Sequence, residues 1–279
     1  MDDLRSVLQK HGFSFKKQFG QNFLTDTNLL RAIVSDAGVD KDTTVLEIGT
    51  GAGALTRALS EQAKRVVSFE IDRSLQPVLS ETLSGCENTE VRFQDFAKCS
   101  LPALERELGK YRVVANLPYY VTTPIVMRFV EEGENCLSFT VMVQEEVARR
   151  FSAAEGTEDY GAVTAAIARR GECRITRKVP RTLFTPRPNV DSAVVHADFT
   201  AGGFAVQSEK AFRETVRAAF LSRRKTLENN LIAVFHLSRE AAKGILAQAA
   251  VPEGARGETL SPTELGKLSD LLFAKGLVK

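Results

Sequence analysis

Through the first two thirds of the chain, short apolar runs alternate with stretches whose apolar residues recur at helical spacing. That alternation predicts a parallel sheet covered by helices. "TTVLEIG" (Thr43 to Gly49) reads as a buried strand and "ALTRALSEQAKR" as the helix after it. "VVSFEID", "EVRFQDF", "YRVVANL" and "LSFTVMVQ" supply the next four strands, and "CRITRKV" with "SAVVHADF" reads as a closing antiparallel pair. After about Thr200 the strand pattern stops. "AGGF" reads as a hinge, and helices are predicted at roughly 208–221, 225–235, 238–249 and 261–275. The last opens with Ser-Pro-Thr-Glu, a capping box with proline at the first helical position. The expected organisation is an α/β domain over residues 1–200 and a small helical domain over 204–279.

The first strand turns into its helix through "LEIGTGAGALT", which carries Glu47, Gly49, Gly51 and Gly53. Glycines there let the backbone turn tightly and let a ligand approach with no Cβ in the way. From Gly49 the segment satisfies G-x-G-x-x-A, so a dinucleotide site is one reading and a plain tight turn another. "FEID" ends the next strand with Glu70, 17 residues after Gly53, where a carboxylate can accept from both ribose hydroxyls. NAD and S-adenosylmethionine both carry that ribose. Two features favour the sulfonium cofactor. Glu47 makes the loop E-x-G-x-G-x-G, the form it takes in methyltransferases, and "QDF" places Asp95 to accept from an adenine amino group. A carboxylate suits a cationic ligand better than a pyrophosphate.

The fourth strand ends in "VVANLPYYVTTPIV", with an amide, a proline and two tyrosines where a connecting loop needs none of them. Ligands of open α/β sheets gather at the carboxyl ends of the strands, so Asn116 to Tyr119 lies beside the cofactor's reactive methyl. An adenine exocyclic amino group is a poor nucleophile because its lone pair is delocalised into the ring. The Asn116 side-chain carbonyl and the Leu117 backbone carbonyl can each accept one of its hydrogens. Pro118 stiffens the loop. Tyr119 offers a flat face for a base swung out of its stack, worth roughly 1–3 kcal/mol. Tyr120 is given no chemical role and can simply be core.

Composition narrows the class. Hydrophobic content of 43% and charge of 26% over 279 residues are those of an ordinary soluble globular protein. No apolar run approaches a membrane span and "MDDLRSVLQK" lacks the apolar core of a signal peptide, so the cytoplasm is the expected compartment. Four scattered cysteines and three distant histidines argue against a disulfide framework or a metal site. Net charge is only +2, yet "RRGECRITRKVPRTLFTPR" (Arg169 to Arg187) holds seven basic residues against Glu172 alone. With Arg223, Arg224 and Lys225, that run points to a polyanion-binding surface as well as to solvated strands.

The ordered set "KKQFGQNFL", "LEIGTGAGALT", "FEID", "QDF", "NLPYYVTTPI", "VMVQEEVARRF", "FTPRPNVDSAVV" and "FLSRRKTLENNL" closely resembles the KsgA-type dimethyladenosine transferases of small-subunit ribosomal RNA. These are relatives of the Erm methyltransferases that modify large-subunit RNA. The resemblance implies a Rossmann-like class I S-adenosylmethionine-dependent methyltransferase, α/β with a mostly parallel seven-stranded sheet, followed by an all-helical C-terminal domain. It implies that residues 1–30 cover the cofactor, with Asn22 and Leu24 at its methionine end, and that Gly49, Gly51, Glu70, Asp95 and Asn116 bind the rest. Phe184 would pack on the flipped adenine opposite the Asn-Leu-Pro-Tyr loop, and Arg223, Arg224 and Lys225 would meet phosphates. The implied partner is small-subunit ribosomal RNA in an assembling subunit, two adjacent adenosines receiving two methyls each, with a monomeric enzyme as the default.

Two departures are visible: Gln94 stands where a glycine often precedes the aspartate, and Tyr120 where asparagine is common. Rival readings are an Erm-like enzyme acting on large-subunit RNA, a non-enzymatic assembly factor and a dinucleotide oxidoreductase. "NLPY" with leucine, the long "FTPRPNVDSAVV" segment and "RRKTLENNL" favour the small-subunit branch.

Overall fold

A computed structural model describes residues 4–16 and 20–278; Lys17, Gln18 and Phe19 of the "KKQFGQNFL" motif lie outside the described residues. The chain opens with α1 (Leu4–Lys10), β1 (Phe23–Leu24), α2 (Thr27–Asp36), β2 (Thr44–Ile48), α3 (Ala54–Ser60) and β3 (Arg65–Glu70). It continues with α4 (Gln76–Thr82), β4 (Thr89–Phe93), α5 (Leu101–Leu108), β5 (Tyr111–Asn116), α6 (Thr122–Glu132) and β6 (Cys136–Gln144). Then come α7 (Glu145–Phe151), α8 (Ala162–Arg170), β7 (Glu172–Val179), β8 (Phe184–Thr185) and β9 (Ser192–Asp198). Four helices close the chain: α9 (Glu209–Ala219), α10 (Leu227–Phe235), α11 (Arg239–Gln248) and α12 (Pro262–Ala274).

Seven strands form one sheet in the order β4-β3-β2-β5-β6-β9-β7. β2 to β6 are parallel, and β9 enters antiparallel to β6. The two strands read as a closing pair are neighbours at that edge. Val45, Leu46, Val66, Val67, Val113 and Val114 are all fully buried, as expected of parallel strands covered on both faces. The chain leaves β2 toward β3 and β4, then returns to place β5 on β2's other side. Strand order therefore reverses between β2 and β5, and the loops after them part to leave a crevice. The first predicted helix is shorter than its pattern. It stops at Ser60 because the Lys64 and Arg65 N–H groups pair with the Thr43 carbonyl and begin the next strand.

Contacts divide the chain into two compact units, one of residues 1–148 and 174–200, the other of 149–173 and 201–279. The single boundary near Thr200 drawn from the sequence misses the middle segment. Tyr160 and Ala165 belong to the same apolar cluster as Phe212, Leu231 and Leu268, and the Tyr160 hydroxyl donates to the Leu260 carbonyl at 2.9 Å. Within this unit, Ser208, Thr226, Ser238 and Ser261 each cap a helix by accepting a backbone N–H, about 1 kcal/mol apiece. The Ser261–Glu264 capping box is formed.

Candidate active site

A cavity of about 300 Å³ opens at the carboxyl ends of β2, β3 and β5, at the lower end of the range for ligand pockets. Of the residues singled out from the sequence, Asn22, Gly49, Gly51, Glu70, Asp95, Asn116, Leu117, Pro118 and Tyr119 line it.

The glycine loop is held from within. Gly49, Gly51 and Gly53 all have positive φ (84°, 55° and 86°), which side-chain-bearing residues rarely adopt. A Cβ on Gly51 would lie 3.2 Å from the Phe23 ring, and one on Gly53 2.8 Å from Thr82 Oγ1. The Gly49 and Thr50 N–H groups donate to the Phe69 carbonyl, Gly53 N–H to Thr50, and Gly51 N–H to Glu70 Oε2 at 2.8 Å. A pyrophosphate needs such amides turned outward, and these four are spent inside the protein. Among the described residues, the cavity's one basic side chain, Arg128, is likewise committed to carbonyls of Phe96 and Cys99. With two carboxylates on the wall, the donor set fits a cationic nucleoside sulfonium and not a dinucleotide.

Glu70 is 6% exposed, and its other oxygen, Oε1, accepts from the N–H groups of Ile71 (2.9 Å) and Asp72 (2.8 Å). Burial raises its carboxyl above the usual glutamate range, and those backbone bonds oppose the rise. Glu47, by contrast, is not on the cavity wall. It is fully buried, with Oε2 accepting from Ser68 (2.6 Å) and Thr56 (2.7 Å) while Oε1 has no partner. Burial pushes this carboxyl up to about 8, against the two hydroxyl bonds and with a further push from Glu70. Behind the loop, it is held toward its protonated form.

The loop after β5 is tied to the N-terminal segment. Asn116 Nδ2 donates to the Asn22 carbonyl at 3.1 Å, which leaves Oδ1 as that side chain's acceptor end. Asp72, 2% exposed, accepts from Lys16 Nζ (2.7 Å) and Gln21 Nε2 (2.9 Å), so it anchors two residues that precede Asn22 to the turn after β3. Nothing in its sequence context marked Asp72 beyond its place in "FEID". The Tyr119 hydroxyl pairs with Ser192 Oγ at 2.8 Å, which fixes the ring.

Tyr120 requires a correction. It is 60% exposed on the cavity rim, its ring beside Gly20, because the 3₁₀ turn Tyr119–Val121 directs neighbouring side chains apart. It is not core.

Three other expectations land away from the cavity wall. Leu24 lines a smaller cavity of about 40 Å³ that shares Phe23, Gly49, Gly51 and Asn116 with the first. Phe184 pairs with Leu24 through β8 and β1, and is 4% exposed in a core cluster with Ile33, Val114 and Met142. Its ring packs inside the protein, which an aromatic in "FTPRP" could equally have done. In the second unit Arg223 donates to the carbonyls of Glu158 (2.7 Å) and Tyr160, whereas the Arg224 and Lys225 side chains are exposed with no partner among the described residues.

The sheet order and the loops at its switch point define a class I methyltransferase. A family model described as ribosomal RNA adenine dimethylase matches residues 12–265, and the chain belongs to that family. The ribosomal RNA small subunit methyltransferase A of Geobacillus thermodenitrificans is 45% identical over 277 residues, spanning 96% of this chain and 94% of that protein. Among solved structures, the 23S rRNA methyltransferase ErmE aligns at 30% identity with a TM-score of 0.69, covering 90% of this chain and 100% of its own. A dimethyladenosine transferase from Plasmodium falciparum shares the fold, with a TM-score of 0.74 at 24% identity over 92% of this chain and 99% of its own.

Proposed function

We propose that this chain dimethylates the exocyclic amino groups of two adjacent adenosines near the 3′ end of small-subunit (16S) ribosomal RNA, acting in the cytoplasm on an assembling subunit. One observation carries the reading: Asn116 to Tyr119 line the same cavity as Glu70 and Asp95, so nucleoside-binding carboxylates and amino-group acceptors converge. S-adenosylmethionine, when bound, supplies an electrophilic methyl on a sulfonium. Glu70 would hold its ribose, Asp95 its adenine amino group, and Asn22 with the backbone at Leu24 its methionine end.

The chain's own part is positioning and charge complementarity. Asn116 Oδ1 and the Leu117 carbonyl each accept one amino hydrogen, which nudges the nitrogen toward tetrahedral geometry and localises its lone pair for attack. Tyr119, immobilised through Ser192, gives the base a stacking face. No strong general base is required, because nitrogen sheds its proton readily once it is methylated and cationic.

Full-length similarity to proteins named for the small subunit supports that substrate over the large-subunit alternative. Mass spectrometry of both ribosomal RNAs from cells lacking this chain tests the reading. Dimethyladenosine should vanish from the small-subunit RNA alone. Loss from the large-subunit RNA instead would move the assignment to the Erm-like alternative.

For the second unit the reading separates residues that the sequence grouped. Reversing the charges of Arg224 and Lys225 should weaken particle binding and flatten its dependence on salt, by roughly one in log–log slope per lost phosphate contact. Arg223→Glu should instead lower the melting temperature, since it strips the Glu158 and Tyr160 carbonyls of their donor. Filter binding across a salt series, with a thermal melt of each variant, checks both. Equal salt slopes for wild type and the Arg224/Lys225 variant would remove the phosphate role.

A further inference from the structure

One side chain on the cavity wall has no task in the chemistry, yet it bonds both ends of the turn behind Asp95. Arg128, in α6, has a side chain 18% exposed. Its Nη1 donates to the Phe96 carbonyl at 2.8 Å and its Nη2 to the Cys99 carbonyl. Those carbonyls flank the 3₁₀ turn Phe96–Lys98. Asp95 is the N-cap of that turn, its carboxylate accepting from Ala97 N–H at 3.0 Å. The guanidinium also lies 5.2 Å from the centre of the Phe96 ring. Phe96 in turn stacks on Phe129, the next residue of α6, and meets Phe69 edge-on, each at 5.4 Å between centroids. Phe69 directly precedes Glu70.

Arg128 meets two carbonyls of one short turn with two donors in a fixed plane, at Phe96 as a second donor beside the Cys99 N–H. A guanidinium presents them; an ammonium is a single point that can reach one carbonyl well or both poorly. With both Nη groups so used, Arg128 has little left to offer a ligand directly, although it borders the cavity. Its remaining contact, Nε to Glu132 at 3.4 Å, is loose and lies within its own helix. The helix it belongs to begins next to the Asn-Leu-Pro-Tyr loop, so the same residue fastens the Asp95 turn to the element that follows that loop.

We infer that Arg128 is a positioning residue for cofactor selectivity: it holds the turn at residues 96–99 so that the Asp95 carboxylate meets the adenine amino group. The inference rests on the proposed role of Asp95 and extends it to a residue that touches no reacting atom. Removing Arg128 should therefore cost affinity through the amino group alone, leaving the ribose at Glu70 and the methyl-acceptor loop unaffected.

Calorimetric titration with two thioethers separates these contributions without turnover. One is S-adenosylhomocysteine and the other its purine-riboside counterpart, which lacks the 6-amino group. Wild type should prefer the amino-bearing ligand. Arg128→Met and Asp95→Ala should each weaken S-adenosylhomocysteine about tenfold, the size of one charge-assisted hydrogen bond. Both should leave the amino-free ligand within about twofold of wild type, and the double variant should be no worse than either single one. Arg128→Lys should recover only part of the loss, and it remains the informative variant if the methionine substitution destabilises the fold. In turnover with RNA, Arg128→Lys should raise KM for the cofactor and leave kcat near wild type. Equal weakening of both ligands, or of neither, overturns the inference, since the arginine would then only maintain the cavity's shape or do nothing for it. Wild type that binds neither thioether overturns the methyl-donor reading itself, an outcome distinct from either.

Discussion

Asn116→Ala is expected to slow methyl transfer by about two to three orders of magnitude, the cost of removing one preorganised polar group from a reacting centre. Affinity for S-adenosylhomocysteine should change far less. The asymmetry comes from what the side chain contacts. Its Nδ2 is bonded to the Asn22 carbonyl, which settles which end of the amide is the acceptor before substrate arrives. The aspartate variant should not rescue the rate. A carboxylate has no hydrogen to donate, so one of its oxygens would face the Asn22 carbonyl, acceptor against acceptor. Single-turnover rates on small-subunit particles lacking dimethyladenosine measure the effect. A rate within threefold of wild type for the alanine variant would show that the amino group is held by something else.

The fold was legible because its strands are buried on both faces and so read as apolar runs, whereas the helices carry their caps in the sequence. Ser208, Ser238 and Ser261 stand at three helix starts as read, and the fourth, read from residue 225, begins behind the cap Thr226. The cavity lining was legible where chemistry forces a residue type: three glycines at positive φ, and carboxylates at the end of β3 and just beyond β4. What escaped was pairing over distance. Nothing local in "RRK" distinguishes Arg223, bonded to a loop more than sixty residues earlier, from the exposed Arg224. Phe184 sits in a motif shared with its family, yet its burial depends on a two-residue strand pairing with Leu24. Tyr119 and Tyr120 are adjacent and chemically alike; a 3₁₀ turn sends one toward Ser192 and the other to the rim. Arg128 looks like a solvated arginine on a helix until the chain brings Phe96 and Cys99 to it.

Glu70→Ala should weaken S-adenosylmethionine binding by about two orders of magnitude, as expected when one member of a buried hydrogen-bonded set is truncated. It should also lower the melting temperature, because the N–H groups of Gly51, Ile71 and Asp72 all lose their acceptor. Glu70→Gln is the sharper variant. It keeps the size, but its NH₂ must face either Gly51 or the Ile71–Asp72 pair, donor against donor. Glutamine should therefore bind the cofactor no better than alanine does. The pH dependence has two opposite signs. Burial raises the Glu70 carboxyl, so the folded protein takes up this proton more readily than the unfolded chain. That contribution to stability is complete below the unfolded glutamate range and is lost as pH rises through the folded value. Glu47, raised to about 8, adds to the same downward trend of the free protein between about pH 4.5 and 8. Ribose hydroxyls would be accepted by the ionised carboxylate, so cofactor affinity should rise as pH passes upward through the folded Glu70 value. Thermal melts with and without S-adenosylhomocysteine from pH 5 to 8 should accordingly show a widening gap between the free and the bound protein. A gap that narrows as pH rises, or a glutamine variant with wild-type affinity, would show that the ribose does not depend on an ionised Glu70.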